Sequence, residues 1–143
     1  MKVVLVAESG ADIPKEIAEK EGIYIVPMHV TFDGETKDDG FDYIFDRIHE
    51  EHPEAHILYL AYSSVTTCAY GCAQIAMENR DYITAIDTKL YSIGQGQVLV
   101  RMAELLREHP EWGIEEAVSA ANDLIARGHM SFIPKTLAFL VAG

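Results

Sequence analysis

The sequence predicts an α/β domain in three layers, a mainly parallel sheet with helices on both of its faces. Short apolar runs bounded by polar residues recur at Lys2 to Ala7, Ile57 to Ala61 and Tyr82 to Ile86, and unbroken runs of that length read as strands buried on both faces. Between them lie segments whose apolar residues repeat at helical spacing. Strands that alternate with helices in this way close into a parallel sheet through right-handed crossovers.

Each element has its own signals. Lys2 to Ala7 is the first strand, and Glu8-Ser9-Gly10-Ala11-Asp12-Ile13-Pro14 leads into a helix from about Ile13 to Glu21. Asp12 is its expected N-cap, Pro14 fits the first turn and Gly22 the stop. Ile23 to Val26 and His29 to Phe32 are β-prone runs split by Pro27, read as one bent strand before the Asp33-Gly34 turn. Phe41, Ile44, Phe45 and Ile48 mark one face of a helix that ends before Pro53. Ile57 to Ala61 is the central strand, and the helix after it carries Cys68, Ala69, Cys72, Ala73, Ile75 and Ala76 at helical spacing. Tyr82 to Ile86 is a fourth strand, closed by Asp87-Thr88-Lys89. Ser92 and Gly94 open a helix through Val98, Leu99, Met102, Leu105 and Leu106 that breaks near Pro110. The next runs from about Ile114 to Arg127 and is closed by Gly128, with Trp112 expected over the junction between the two. His129 to Ile133 reads as a last strand, and Pro134 as the start of a short terminal helix.

Residues 1–143 are expected to form one domain, a length that supports one full hydrophobic core. Hydrophobic residues at 49% and charged residues at 24% describe a soluble globular chain. Eleven Lys and Arg against 23 Asp and Glu leave a net charge of −12, which repels nucleic acid and anionic lipid surfaces. The apolar run after Lys2 is too short for a membrane span or a signal-peptide core, so a cytoplasmic location is expected without membrane insertion. Cys68 and Cys72 read as reduced, buried thiols, because a tetrahedral metal site needs two further ligands that the neighbouring sequence does not supply. No cofactor and no metal are expected.

The candidate site follows from the central strand. In open α/β sheets, ligands settle beyond the carboxyl ends of the strands, where hydroxyls and the N–H groups of helix N-termini converge. Ser63 and Ser64 are the first candidates there, with Thr67 beside them, and Ser9 and Ser92 end two other strands facing the same crevice. Each also reads as a polar cap of the helix that follows it. Other motifs carry less. His49, His52 and His56 lack the His-Glu-x-x-His spacing, Gly94-Gln95-Gly96 lacks the third glycine of a dinucleotide loop, and no Gly-x-Ser-x-Gly elbow is present. Asp33, Glu35, Asp38 and Asp39 read as a solvated turn rather than a calcium loop. No catalytic role is expected.

Taken together, Glu8 to Pro14, Gly22 to Met28 with Val30 to Gly34, Ser63-Ser64 with Tyr70, Ile86-Asp87-Thr88-Lys89 with Ser92 and Gly94, and Leu137 to Gly143 resemble the N-terminal domain of the DegV family of bacterial fatty-acid-binding proteins. The resemblance implies a carrier that holds a long-chain fatty acid by its carboxylate, with Ser63 and Ser64 where the family's Ser-Ser motif contacts the head group. It also implies a partner, a fatty acid kinase. Three features of the family pattern are missing: a Thr-Ser segment near residue 40, hydroxyls at Ala69 and Cys72, and a second, lipid-covering domain beyond Gly143. An excised or engineered single-domain version is therefore expected, and an α/β scaffold without a ligand is the alternative. Apolar Leu137, Phe139, Leu140 and Val141 make self-association a further expectation.

Overall fold

In the computed structural model, residues 2–28, 40–131, 133, 135 and 136 are described. The strands are β1 (Lys2–Glu8), β2 (Tyr24–Val26), β3 (Ala55–Ala61) and β4 (Ile83–Asp87). Between and after them run α1 (Lys15–Glu21), α2 (Phe41–Glu51), α3 (Ala69–Ala76), α4 (Ser92–Glu108) and α5 (Ile114–Arg127), and Ser9–Ala11 forms a single 3-10 turn. All strand pairs are parallel, in the order β2-β1-β3-β4. The expected α/β class is what the structure has.

Alternation along the strands divides the core between two faces. Leu5 and Ala7 of β1 with Leu58 and Leu60 of β3 face Ala18 of α1, Val98, Leu99 and Met102 of α4, and Ala117 and Ala121 of α5. Val6 of β1 and Ile57, Tyr59 and Ala61 of β3 face Ile44, Phe45 and Ile48 of α2 and Ala73 and Ala76 of α3. Helices therefore cover both sides of the sheet. β3 is the most buried strand, with Ile57 to Ala61 wholly inaccessible, as an unbroken apolar run requires.

Several expectations are corrected. Asp12 does not cap α1: it adopts a left-handed conformation (φ 52°) and its N–H bonds to Ser9 O at 3.1 Å, closing the 3-10 turn, while Pro14 holds the N-cap position. Gly22 does end α1, at φ 66°. Cys68 and Cys72 are exposed rather than buried, because the short α3 meets the core through Ala73 and Ala76 and turns even Ile75 outward. His129, Met130 and Ser131 form no strand. The chain there runs over the start of α4, where a side chain added at Gly94 would meet Met130 Sδ at 2.8 Å. The predicted strand at His29 to Phe32, the turn at Asp33-Gly34, and Leu137, Phe139, Leu140 and Val141 lie outside the described residues. Trp112 lies between α4 and α5 as expected, its ring stacked on His109 at 4.4 Å.

Close packing of α4 on the 3-10 turn requires a glycine. A Cβ on Gly96 would fall 2.6 Å from Ala11 O and 3.3 Å from Ile13 Cγ1, whereas one on Gly71 meets nothing within 4 Å. Gly96→Ala should therefore lower stability by about 1–3 kcal/mol, the range for overpacking. Gly71→Ala, in the interior of α3, should raise it by roughly 0.5–1 kcal/mol. Urea unfolding midpoints at unchanged slope test the opposite signs.

Candidate functional site

β1 leads outward to β2 on one side, and β3 leads to β4 on the other, so the strand order reverses between β1 and β3. The crevice beyond their carboxyl ends is where this class of sheet places its ligands. Its floor is a buried polar network. Glu8, the last residue of β1, is wholly buried and accepts hydrogen bonds from Tyr59 OH, from Tyr62 N–H at 3.1 Å and from Gln95 Nε2 at 2.9 Å. Gln95 Nε2 also donates to Leu60 O at 2.9 Å. Gln95 Oε1 has no partner among the described residues. Burial, and next the negative charge of Glu8, push the Tyr59 phenol far above its ordinary range, so Tyr59 is held as a neutral donor.

The five predicted residues follow the strands β1, β3 and β4, in different hydrogen-bonding states. Ser63 is buried, its N–H donates to Leu90 O at 2.9 Å, and its hydroxyl makes no hydrogen bond among the described residues. Ser64 is exposed and spends its proton on Asp87, with Oγ to Oδ2 at 2.6 Å and its N–H to Oδ1 at 3.2 Å. Ser92 likewise donates to Asp12 Oδ2 at 2.7 Å. Ser9 Oγ accepts from Met28 N–H at 2.9 Å, and Thr67 Oγ1 accepts from Ala69 N–H at 3.3 Å. A hydroxyl has one proton. Those of Ser9, Ser63 and Thr67 are donated to no acceptor among the described residues, whereas Ser64 and Ser92 are held in charge-assisted bonds.

Tyr62 ties the groups together. Its ring lies 6.0 Å from that of Tyr91 and against Gly10, where a Cβ would meet it at 2.9 Å. Burial raises its phenol, and the charges of Asp12 and Glu8 add to this. Asp87 is lowered, although burial opposes the shift: the Ser64 hydroxyl and the N–H groups of Lys89 and Ser64 outweigh it. Among the described residues four non-glycine residues have positive φ, and three of them, Asp12 (52°), Lys89 (55°) and Ser92 (50°), belong to these turns.

Sequence reasoning missed Glu8, Tyr59 and Gln95 as partners, and Asp12 and Asp87 as acceptors. A signal was present: a carboxylate at the end of a buried strand, and a glutamine in phase with Val98, Leu99 and Met102 on the inward face of α4. Neither residue has a pairing that sequence separation reveals, since Glu8 and Gln95 are 87 positions apart. Among the described residues no group of three or more His, Cys, Asp or Glu could hold a metal ion. His56 bonds to Thr84 at 2.9 Å and His52 to Tyr24 at 3.2 Å, so the histidines are dispersed into local contacts.

A parallel sheet covered on both faces, with hydroxyl-bearing turns beyond the point where its strand order reverses, defines a three-layer α/β domain. A family model described as "Uncharacterised protein, DegV family" matches residues 2–56 and 52–143. The chain belongs to the DegV family. It is 22% identical over 169 residues to a DegV domain-containing protein of Caldanaerobacter subterraneus subsp. tengcongensis, an alignment covering 99% of this chain and 60% of that protein. A DegV lipid binding protein from Thermotoga maritima superposes with a TM-score of 0.76 at 21% identity, over 89% of this chain and 55% of that one. A fatty-acid-binding DegV family protein from Thermus thermophilus gives 0.72 at 24%, over 88% and 54%. The chain thus spans about half the length of these solved structures.

Two outcomes follow from the network. Tyr59→Phe removes one of the donors that satisfy buried Glu8 and should cost about 1–3 kcal/mol, read from denaturant midpoints. The lowered Asp87 favours the folded state above its unfolded pKa, and that contribution disappears as pH falls through the folded value. Ser64→Ala should therefore destabilise at pH 7, with the difference from wild type shrinking as the pH is lowered below about 4; midpoints at pH 7 and pH 2.5 check this.

Proposed function

We propose that this chain is a fatty-acid-binding carrier domain, taking the ligand's head group in the crevice between β1 and β3. The observation that carries the reading is Ser63, a buried residue at the reversal of strand order whose hydroxyl donates to none of the described residues. Ser9 and Thr67 offer hydroxyl protons donated to no acceptor among the described residues, and Ser64 and Ser92 hold the turns in shape through Asp87 and Asp12. An open groove of about 400 Å³ between α1 and α4, lined by Ile13, Ile17, Ile93 and Val100, starts at Asp12, which Ser92 bonds, and gives an acyl tail apolar surface. Each buried methylene contributes roughly 0.8 kcal/mol, so the tail supplies affinity and the hydroxyls orientation.

Support comes from the relatives, since the Thermus thermophilus protein is described as binding fatty acid and the Thermotoga maritima protein as binding lipid. The role is that of a carrier, with a fatty acid kinase as the partner that the family resemblance suggests. No helix among the described residues is long and apolar enough to cross a membrane.

The test is mass spectrometry of an organic extract of protein purified from bacteria. Wild type should yield about one fatty acid per chain, Ser63→Ala should lose most of it, and Ser64→Ala should retain more than Ser63→Ala. An empty extract from folded wild-type protein, or equal loss in the two variants, would overturn the assignment.

A further inference from the structure

We propose that the seam between α1 and α4 measures the acyl tail: Ile93 and Val100 accept it, and the charges that begin at Arg101 and Glu104 set the chain length beyond which added methylenes no longer tighten binding. The inference rests on the fatty-acid reading above and names which acids that site prefers. The two helices point the same way, since Gly96 of α4 lies against Ala11 and Ile13 just before α1 begins, and Arg107 bonds Glu21 at 2.6 Å near both their ends. The groove of about 400 Å³ occupies the first part of this seam.

One stripe of α4 changes character along its length. Ile93, Gly96 and Val100 follow one another at helical spacing and line the groove with Ile13 and Ile17. Ile93 and Ile17 are 64% and 40% exposed, apolar surface that a tail would take out of water. The next positions on the same stripe are Glu104 and Arg107. Arg101 Nη1 donates to Glu104 Oε2 at 2.8 Å and to Glu108 Oε1 at 3.4 Å, and the bond from Arg107 to Glu21 then ties α4 to α1 across the seam. A methylene laid over Ile93 or Val100 gains the hydrophobic contribution. One laid over Arg101 and Glu104 strips water from charged groups and offers them no hydrogen bond in return. Ile93 and Arg101 are eight positions apart, about 12 Å of helix rise. An extended hydrocarbon advances about 1.3 Å per carbon, so the apolar stretch holds about nine carbons.

The test is a chain-length series. Delipidated protein is titrated calorimetrically with saturated fatty acids of eight to eighteen carbons, each below its aggregation concentration, with the double variant Arg101→Leu/Glu104→Leu and the single variant Val100→Asn run in parallel and their folding checked by circular dichroism. In wild type the affinity should rise roughly fourfold per added methylene and then level off within the series. In the double variant the break should come about four carbons later, the length of one helical turn, and in Val100→Asn it should come earlier. An unbroken rise to eighteen carbons, or a break at the same length in all three proteins, would overturn the measuring role while leaving fatty-acid binding in place. Folded wild type that binds none of the acids would overturn the fatty-acid reading and this inference with it.

Discussion

A buried carboxylate is the constraint on which the rest of the structure depends. Removing Glu8 from water costs several kcal/mol unless its oxygens are satisfied, and three parts of the chain converge to do so: Tyr59 from β3, the Tyr62 backbone just beyond it, and Gln95 from α4. One charge thereby fixes the ends of the two central strands and the depth at which α4 docks. The close approach of Gly96 to Ala11 is the steric counterpart of that docking, and the Ser92 to Asp12 bond forms at the mouth of the same contact. The crevice owes its shape to a residue that a ligand need never touch.

Above that floor, hydrogen-bond polarity sorts residues that sequence alone treats as equivalent. Five hydroxyls near strand ends look alike in a string of letters. In space, two point their protons at carboxylates and three do not among the described residues. Asp12 and Asp87 thus act as anchors for the turns, and they also make the rim negative. Under the proposed reading, an anionic head group entering there would be opposed by charge and favoured by oriented donors, and tail burial would carry a correspondingly greater share of binding.

Much of the fold was legible because its signals are local and periodic. The apolar run at Ile57 to Ala61 is β3, the spacing of Phe41, Ile44, Phe45 and Ile48 is the buried face of α2, and the bounds of α4 and α5 match the breaks at Pro110 and Gly128. What failed depends on tertiary geometry. Asp12 looks like a cap by position but is drawn into a left-handed turn that presents it to Ser92. Cys68 and Cys72 have core-like chemistry, yet α3 meets the core through its alanines. The candidate site is read from sequence as a place, the end of the central strand, and its polar floor is not legible as a circuit, because Glu8, Tyr59 and Gln95 meet only after the sheet has formed.

Three non-glycine residues at the mouth of the crevice, Asp12, Lys89 and Ser92, occupy the left-handed region, where an L side chain is held under strain that glycine would relieve. Two of them carry the hydrogen bond that joins the 3-10 turn to α4. Selection for thermal robustness alone would therefore drift toward glycine at these sites, trading the side chains that shape the entrance for a calmer backbone. The entrance is the part of this domain where durability and recognition pull in opposite directions.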